Sequence, residues 1–189
     1  VDSLCIKKRL EHGGLPFGKT SMSEEAGFLS TKKPPGYSEL GGQGINPIDS
    51  SLTPGGSSSG SCISVAAGFC HAAIGTETHG SIVMPAIACG VVGIKPSVGL
   101  VSRDGVIPIS HSLDTPGAIA QSVSQATKLL EAICGTDPND VATEDCPEKI
   151  DFQTDLGEDK SLIRVALLVP AHREFDAEEK SILTQLIQA

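Results

Sequence analysis

The sequence contains no tryptophan, one tyrosine and five phenylalanines, so aromatic residues make up only 3% of its 189 residues. A core without many large rings has to be built from Ala, Val, Ile and Leu, and the 21 glycines allow neighbouring elements to approach each other closely. This composition favours tightly packed layers of helices and strands. The length of the chain is sufficient for one domain.

Long apolar runs are absent as well. The longest, residues 165–169, is far too short to cross a bilayer, and the residues present show no secretory segment, so we expect no membrane span. The six cysteines form no C-x-x-C pair and no cluster of zinc type, which predicts buried free thiols and no metal site, and favours a reducing, cytoplasmic location. They are Cys5, Cys62, Cys70, Cys89, Cys134 and Cys146.

Positive charge is scarce. Lys and Arg number 14 against 23 Asp and Glu, so the formal net charge is 14 − 23 = −9. A surface of this sign repels a phosphate backbone, and nucleic acid is therefore not an expected partner.

Two turns rich in glycine and serine stand out from this background, at residues 54–61 (PGGSSSGS) and 76–82 (TETHGSI). Hydrolysis of an amide needs a hydroxyl nucleophile, a neighbouring proton carrier and backbone N–H donors facing the oxyanion, and two such turns can supply much of this. A flexible linker or a phosphate-binding loop are the alternatives for residues 54–61 alone. The second turn disfavours a linker, and the lack of a Lys after the last glycine disfavours phosphate binding.

The coarse pattern alternates helices and strands. We predict a helix over 1–12, a long irregular segment over 15–54, and a buried helix after Gly60 that includes small residues as far as Ala73. Strands are predicted at 90–94 and 162–169, with helices from the Ser122 capping box to Gly135 and over 177–189.

Three ordered blocks, residues 55–61, 75–86 and 89–99, resemble the amidase signature family, and flanking blocks at 18–24, 102–105 and 114–117 agree. The resemblance implies an α/β fold, a mixed twisted sheet flanked by helices, here incomplete. Residues 1–189 would be a partial amidase domain, with the signature core at 1–140. Residues 141–189 would hold a connector, a strand and a helix that continue into a C-terminal part.

The family also implies a Ser-Ser-Lys triad that cleaves a carboxamide C–N bond, other than a peptide bond, through an acyl-enzyme without metal or organic cofactor. On this resemblance Ser81 is the nucleophile and Ser57, on a cis peptide, the bridging serine; their separation of 81 − 57 = 24 residues matches the family. Their side chains should lie within hydrogen-bond reach, roughly 2.6 to 3.2 Å or somewhat longer without a ligand. The resemblance assigns the oxyanion hole to the N–H groups of Thr78, His79, Gly80 and Ser81. The N–H of Gly80 is expected to be free to donate. The serine loop is supported by Gly55, Gly56 and Ser58.

The catalytic lysine of the family lies upstream of the block at 18–24, and none of Lys7, Lys8, Lys19 and Lys95 matches its position. Triad members act as a unit, so this stretch by itself is expected to be inactive. The alternative is a catalytically dead remnant that serves as a binding or interaction module. The substrate would be a small amide; the sequence indicates neither which amide nor an oligomeric state.

Overall fold

The computed structural model describes residues 3–30, 32–153 and 174–188. The chain divides into two compact units, 1–157 and 158–189. The serine turns and every strand described below belong to the first unit.

A three-stranded antiparallel sheet lies at the centre of this unit. Its strands are β3 (Ala72–Glu77), β4 (Val92–Ile94) and β5 (Thr115–Ala120), in the order β3-β5-β4. All six residues of β5 are buried, as expected for a central strand covered on both faces. A two-stranded antiparallel ribbon, β1 (Tyr37–Ser38) and β2 (Gly42–Gln43), lies in the irregular segment before the serine loop.

Side chains alternate across β5 and divide the core in two. Ala118 and Ala120 pack with helices α1 (Leu4–Glu11) and α4 (Val123–Ile133) on one face. Ile119 packs on the other face with α2 (Ser59–Ala66) and α3 (Val83–Ala88). The expected α/β layers built on small aliphatic residues are therefore confirmed.

Helix α4 follows its sequence signal closely. Ser122 is the N-cap, and its side chain accepts the N–H of Gln125. Leu129, Leu130 and Ile133 are buried on the face that meets the sheet. The predicted cap and apolar stripe are confirmed.

The prediction that one helix runs on to Ala73 is wrong. Helix α2 ends at Ala66, and Ala72 and Ala73 begin β3. Alanine is small enough for either element, and Gly68 in the left-handed region (φ +75°) ends the helix before these alanines are reached.

The second unit is described over 174–188, where α5 (Ala177–Gln188) has the predicted capping box. The Glu179 N–H donates to Asp176 Oδ1 at 2.8 Å, and the Asp176 N–H donates to Glu179 Oε2 at 3.2 Å. The strand predicted at 162–169 lies outside the described residues. Of the helices that are described, none combines the length and the apolar character that crossing a membrane requires.

Candidate active site

The serine loop, residues 54–61, packs against α3 and the segment before it. The Gly56–Ser57 peptide bond is cis. The Ser57 carbonyl accepts the N–H of Ser23 at 2.9 Å. Gly55 has a φ of +68°, and a Cβ there would lie 2.8 Å from Pro85 Cα, so both the conformation and the close approach require glycine. These contacts fix the backbone that carries Ser57.

Ser58 connects the serine loop to the second turn. Its N–H donates to the Ser81 carbonyl at 2.9 Å, and its buried hydroxyl donates to the Thr76 carbonyl and accepts the Thr76 N–H. Gly75 gives this hydroxyl its space, because a Cβ there would lie 2.9 Å from Ser58 Oγ. The loop is thus hydrogen-bonded to the C-terminal end of β3 and to the residue expected to be the nucleophile.

The turn between β3 and α3 is held by the carboxylate of Glu77. Glu77 is only 5% exposed. Its carboxylate accepts hydrogen bonds from the N–H groups of Gly80 at 2.8 Å, Ile82 at 2.7 Å and Val83 at 3.0 Å. A buried polar group is costly unless its hydrogen-bonding capacity is satisfied, and three N–H donors provide this.

The expectation that Gly80 keeps a free N–H is wrong, because Glu77 occupies that donor. The neighbouring N–H groups of Thr78, His79 and Ser81 donate no hydrogen bond within the described part of the chain. Three donors therefore remain unused in one turn, on either side of the residue that is pinned.

A cavity of about 520 Å³ opens beside the two serine turns. Ser57, His79 and Ser81 line it together. Ser57 is 2% exposed and Ser81 is 8% exposed. The structure therefore brings both predicted serines into one site, together with His79 from the turn that carries the unused N–H groups.

The hydrogen bond expected between the two serine side chains is not formed. Ser57 Oγ is buried and has no hydrogen-bond partner among the described residues. The contact between the turns runs through the main chain instead, from the Ser58 N–H to the Ser81 carbonyl. An unpaired buried hydroxyl is costly in a stable core, so this orphan atom marks a place suited to a partner group.

Lys33 is the one lysine among those described that lines this cavity. It forms an ion pair with Glu24 and lies 3.5 Å from Glu39 Oε1, and its Nζ is 5.5 Å from the centroid of the Tyr37 ring. The hydrogen bond with Glu24 raises the pKa of Lys33 and lowers that of Glu24. Lys33 is accordingly protonated at neutral pH and unsuited to accept a proton from a serine.

A second carboxylate, Asp114, reaches the other end of the turn. The Thr78 hydroxyl donates to its Oδ1, and the N–H groups of Ile109 and Ser110 each donate to its Oδ2 at 2.8 Å. Burial acts to raise the pKa of Asp114, but these hydrogen bonds and the nearby Arg103 lower it below its usual range. Asp114 is therefore a charged anchor beside the turn.

Within the described ranges, no three His, Cys, Asp or Glu side chains lie close enough together to hold a metal ion.

A sequence profile of the Amidase family matches residues 1–188 of the chain. The chain belongs to the amidase family. It is 51% identical over 149 residues to the Arabidopsis thaliana protein named Probable amidase, covering 79% of this chain and 29% of that protein. It is 42% identical over 167 residues to one component of the glutamyl-tRNA(Gln) amidotransferase of Prochlorococcus marinus, covering 88% of this chain and 33% of that protein.

Among solved structures of the amidase family, the peptide amidase of Stenotrophomonas maltophilia superposes with a TM-score of 0.76. It is 50% identical and covers 79% of this chain and 31% of that one. The chain therefore spans about a third of the length of these relatives. The expectation that the bond cleaved is not a peptide bond is contradicted in part, because a peptide amidase is among the similar structures.

Sequence reasoning named the two serines that line this cavity but missed the charged groups around them. Glu24, Glu77 and Asp114 stand out in the sequence only as parts of the motif blocks, and Lys33 carries no signal that assigns it to the site. A motif reveals neighbours in sequence, whereas Thr78 meets Asp114 across 36 residues. The β3–β5 register places these two residues next to each other, and no local signal in the sequence predicts that register.

Proposed function

We propose that this chain carries the nucleophile and the oxyanion donors of an amidase that cleaves the C–N bond of a carboxamide. The observation that carries the proposal is the shared cavity of Ser57 and Ser81, beside a turn with three unused N–H donors. These are the parts that acyl transfer requires.

In the proposed reaction Ser81 Oγ attacks the amide carbonyl carbon, and the Ser81 proton passes to Ser57, whose own proton goes to a base. Negative charge develops on the carbonyl oxygen and is stabilised by the N–H groups of Thr78, His79 and Ser81. The C–N bond then breaks, the nitrogen takes a proton and leaves as the amine, and the acyl group stays on Ser81. Water attacks the ester, which gives the carboxylic acid and restores the serine.

The base of the triad is proposed to be a lysine outside the described cavity wall. Lys33 is unsuited, because its ion pair with Glu24 raises its pKa. The orphan hydroxyl of Ser57 is a fitting hydrogen-bond partner for such an amine. We therefore expect the 189-residue chain alone to turn over amides slowly or not at all.

The proposed substrate is a small amide. The net charge of −9 disfavours a nucleic-acid substrate. The signature core is proposed to comprise residues 1–140.

A phosphonofluoridate that reacts with activated serines tests the assignment without requiring turnover, in a protein that includes the lysine proposed as the base. The protein is incubated with the reagent, digested, and searched by mass spectrometry for the adduct. We expect the adduct on Ser81, lost in Ser81→Ala and kept in Ser124→Ala, an exposed serine on α4. An adduct that survives Ser81→Ala would place the nucleophile elsewhere.

A second candidate, an amide-binding module without hydrolysis, is favoured by two observations. The hydroxyls of Ser57 and Ser81 are not hydrogen-bonded to each other, and the lysine in the cavity is held as a cation. Absence of any Ser81 adduct, together with binding of a carboxamide seen by ligand-observed NMR, would support this candidate over the enzyme.

A further inference from the structure

The pairing of β3 with β5 brings Thr78 and Asp114 together. The last pair in this register is Glu77 with Thr115. Thr78 follows Glu77 and Asp114 precedes Thr115, so the two residues lie opposite each other one step beyond the end of the ladder. Their side chains meet there, and the Thr78 hydroxyl donates to Asp114 Oδ1.

Asp114 itself is held from the opposite side. Its Oδ2 accepts two consecutive main-chain N–H groups, those of Ile109 and Ser110, and the residue is 8% exposed. A carboxylate fixed by two main-chain donors has little freedom to turn, so the hydrogen bond it makes to Thr78 restrains Thr78 rather than itself.

The turn is consequently clamped at both ends by carboxylates. Glu77 binds the N–H groups of Gly80, Ile82 and Val83, and Asp114 binds the side chain of Thr78. The unused N–H groups of Thr78, His79 and Ser81 lie on the stretch between these anchors.

We infer that Asp114 is a positioning residue, which acts through the Thr78 hydroxyl to hold the 78–81 turn with its free N–H groups in the arrangement that binds an oxyanion. This inference rests on the proposed function for the role of those donors. It adds a residue 33 positions after Ser81 to the site, 114 − 81 = 33. Preorganised donors are effective because they need no reordering in the transition state.

The test uses the full chain labelled with ¹⁵N and measures amide hydrogen exchange at Gly80, Ile82 and Val83, whose N–H groups are bonded inside the turn. Thr78→Val keeps the shape of the side chain and removes the hydroxyl. We expect exchange at Gly80 to accelerate by about tenfold or more, because a hydrogen bond to a charged group is lost. Thr78→Ser should restore the exchange rate at Gly80 to within about threefold of the parent value, since serine keeps the hydroxyl donor.

Asp114→Asn has a different signature. It should accelerate exchange at Gly80 and also at Ile109 and Ser110, because the Asn amide offers one acceptor oxygen where the carboxylate has two. Thr127→Val is the matched control: it removes a buried threonine hydroxyl that donates within α4, and should leave Gly80 unchanged. Exchange at Gly80 that is as slow in Thr78→Val as in Thr127→Val would overturn the inference.

The rate of phosphonofluoridate labelling of Ser81 is recorded for the same variants. Slower labelling in Thr78→Val with recovery in Thr78→Ser supports the role in donor placement. Faster exchange with an unchanged labelling rate overturns that role. If the proposed function is wrong, the parent chain never forms the Ser81 adduct, although the exchange rates still respond to the substitutions as expected.

Discussion

The hydroxyl of Ser58 bonds to the main chain of Thr76 in both directions, accepting its N–H at 3.1 Å and donating to its carbonyl at 3.0 Å. One side chain thereby continues the hydrogen bonding of the sheet on the outer side of β3. It also attaches the serine loop to the strand that leads into the second turn.

Ser58→Ala should lower the free energy of unfolding by about 1 to 3 kcal/mol, because it leaves the N–H and the carbonyl of Thr76 without their partner. Urea denaturation followed by circular dichroism measures this. The exposed Ser112→Ala is the control. Equal stability of the two variants would show that Thr76 finds other partners at no cost.

Glu77→Gln tests the carboxylate that organises the turn. Glutamine retains one acceptor oxygen and turns an NH₂ group towards N–H donors, so at least one of the three hydrogen bonds is lost. We expect a loss of about 1.5 to 3 kcal/mol in the free energy of unfolding. The same change at the exposed Glu148 should have little effect. A Glu77→Gln chain as stable as Glu148→Gln would contradict this assignment.

Lys33 should titrate above its usual range, since the hydrogen bond with Glu24 raises its pKa. NMR of the ¹⁵N-labelled side-chain amines reports its titration directly. In Glu24→Gln the pKa of Lys33 should fall, because the anionic partner is gone. A Lys33 that loses its proton near neutral pH would contradict the argument that it is unsuited as the base.

Several parts of this structure could be predicted from residue pattern alone. The Ser122–Gln125 cap with the apolar stripe of α4 and the short strand β4 rest on local residue chemistry. The proximity of the two serine turns was expected from the resemblance of their motifs to the amidase family. Each of these signals lies within a short stretch of chain or in a motif of fixed length.

Strand β5 was beyond such reasoning, because Pro116 and Gly117 are typical of a turn. The structure shows why proline is tolerated in this central strand. Pro116 lies opposite Thr76, whose N–H and carbonyl both point to Ser58 and not across the ladder. The β3–β5 ladder needs no N–H from Pro116, a fact that depends on a serine 58 positions away, 116 − 58 = 58.

Acid should weaken the chain through Asp140. Its hydrogen bonds from Arg103, at 2.9 Å from Nε and 2.6 Å from Nη2, lower the pKa of Asp140 from its ordinary 3.8 to about 2. A lowered carboxyl pKa contributes stability above the unfolded value, and this contribution is lost as pH falls from about 4 to about 2. As pH falls across this range, the thermal unfolding temperature should drop more steeply in the parent than in Asp140→Asn. Asp145→Asn, at an exposed position, should follow the parent; a parallel course of all three chains would contradict the prediction.

Ser57 and Ser58 are adjacent, both buried, and opposite in their bonding: the Ser58 hydroxyl makes two hydrogen bonds and the Ser57 hydroxyl makes none among the described residues. Removing an unsatisfied buried oxygen relieves a desolvation cost, so Ser57→Ala should leave the free energy of unfolding unchanged or raise it by up to about 1 to 2 kcal/mol. Sites that keep such groups for reaction commonly give up stability for it. The same variant should slow phosphonofluoridate labelling of Ser81, because the proposed proton relay is gone. Paired denaturation curves for Ser57→Ala and Ser58→Ala decide the matter: a Ser57→Ala chain destabilised as much as Ser58→Ala would mean that the Ser57 hydroxyl is bonded in solution and is structural.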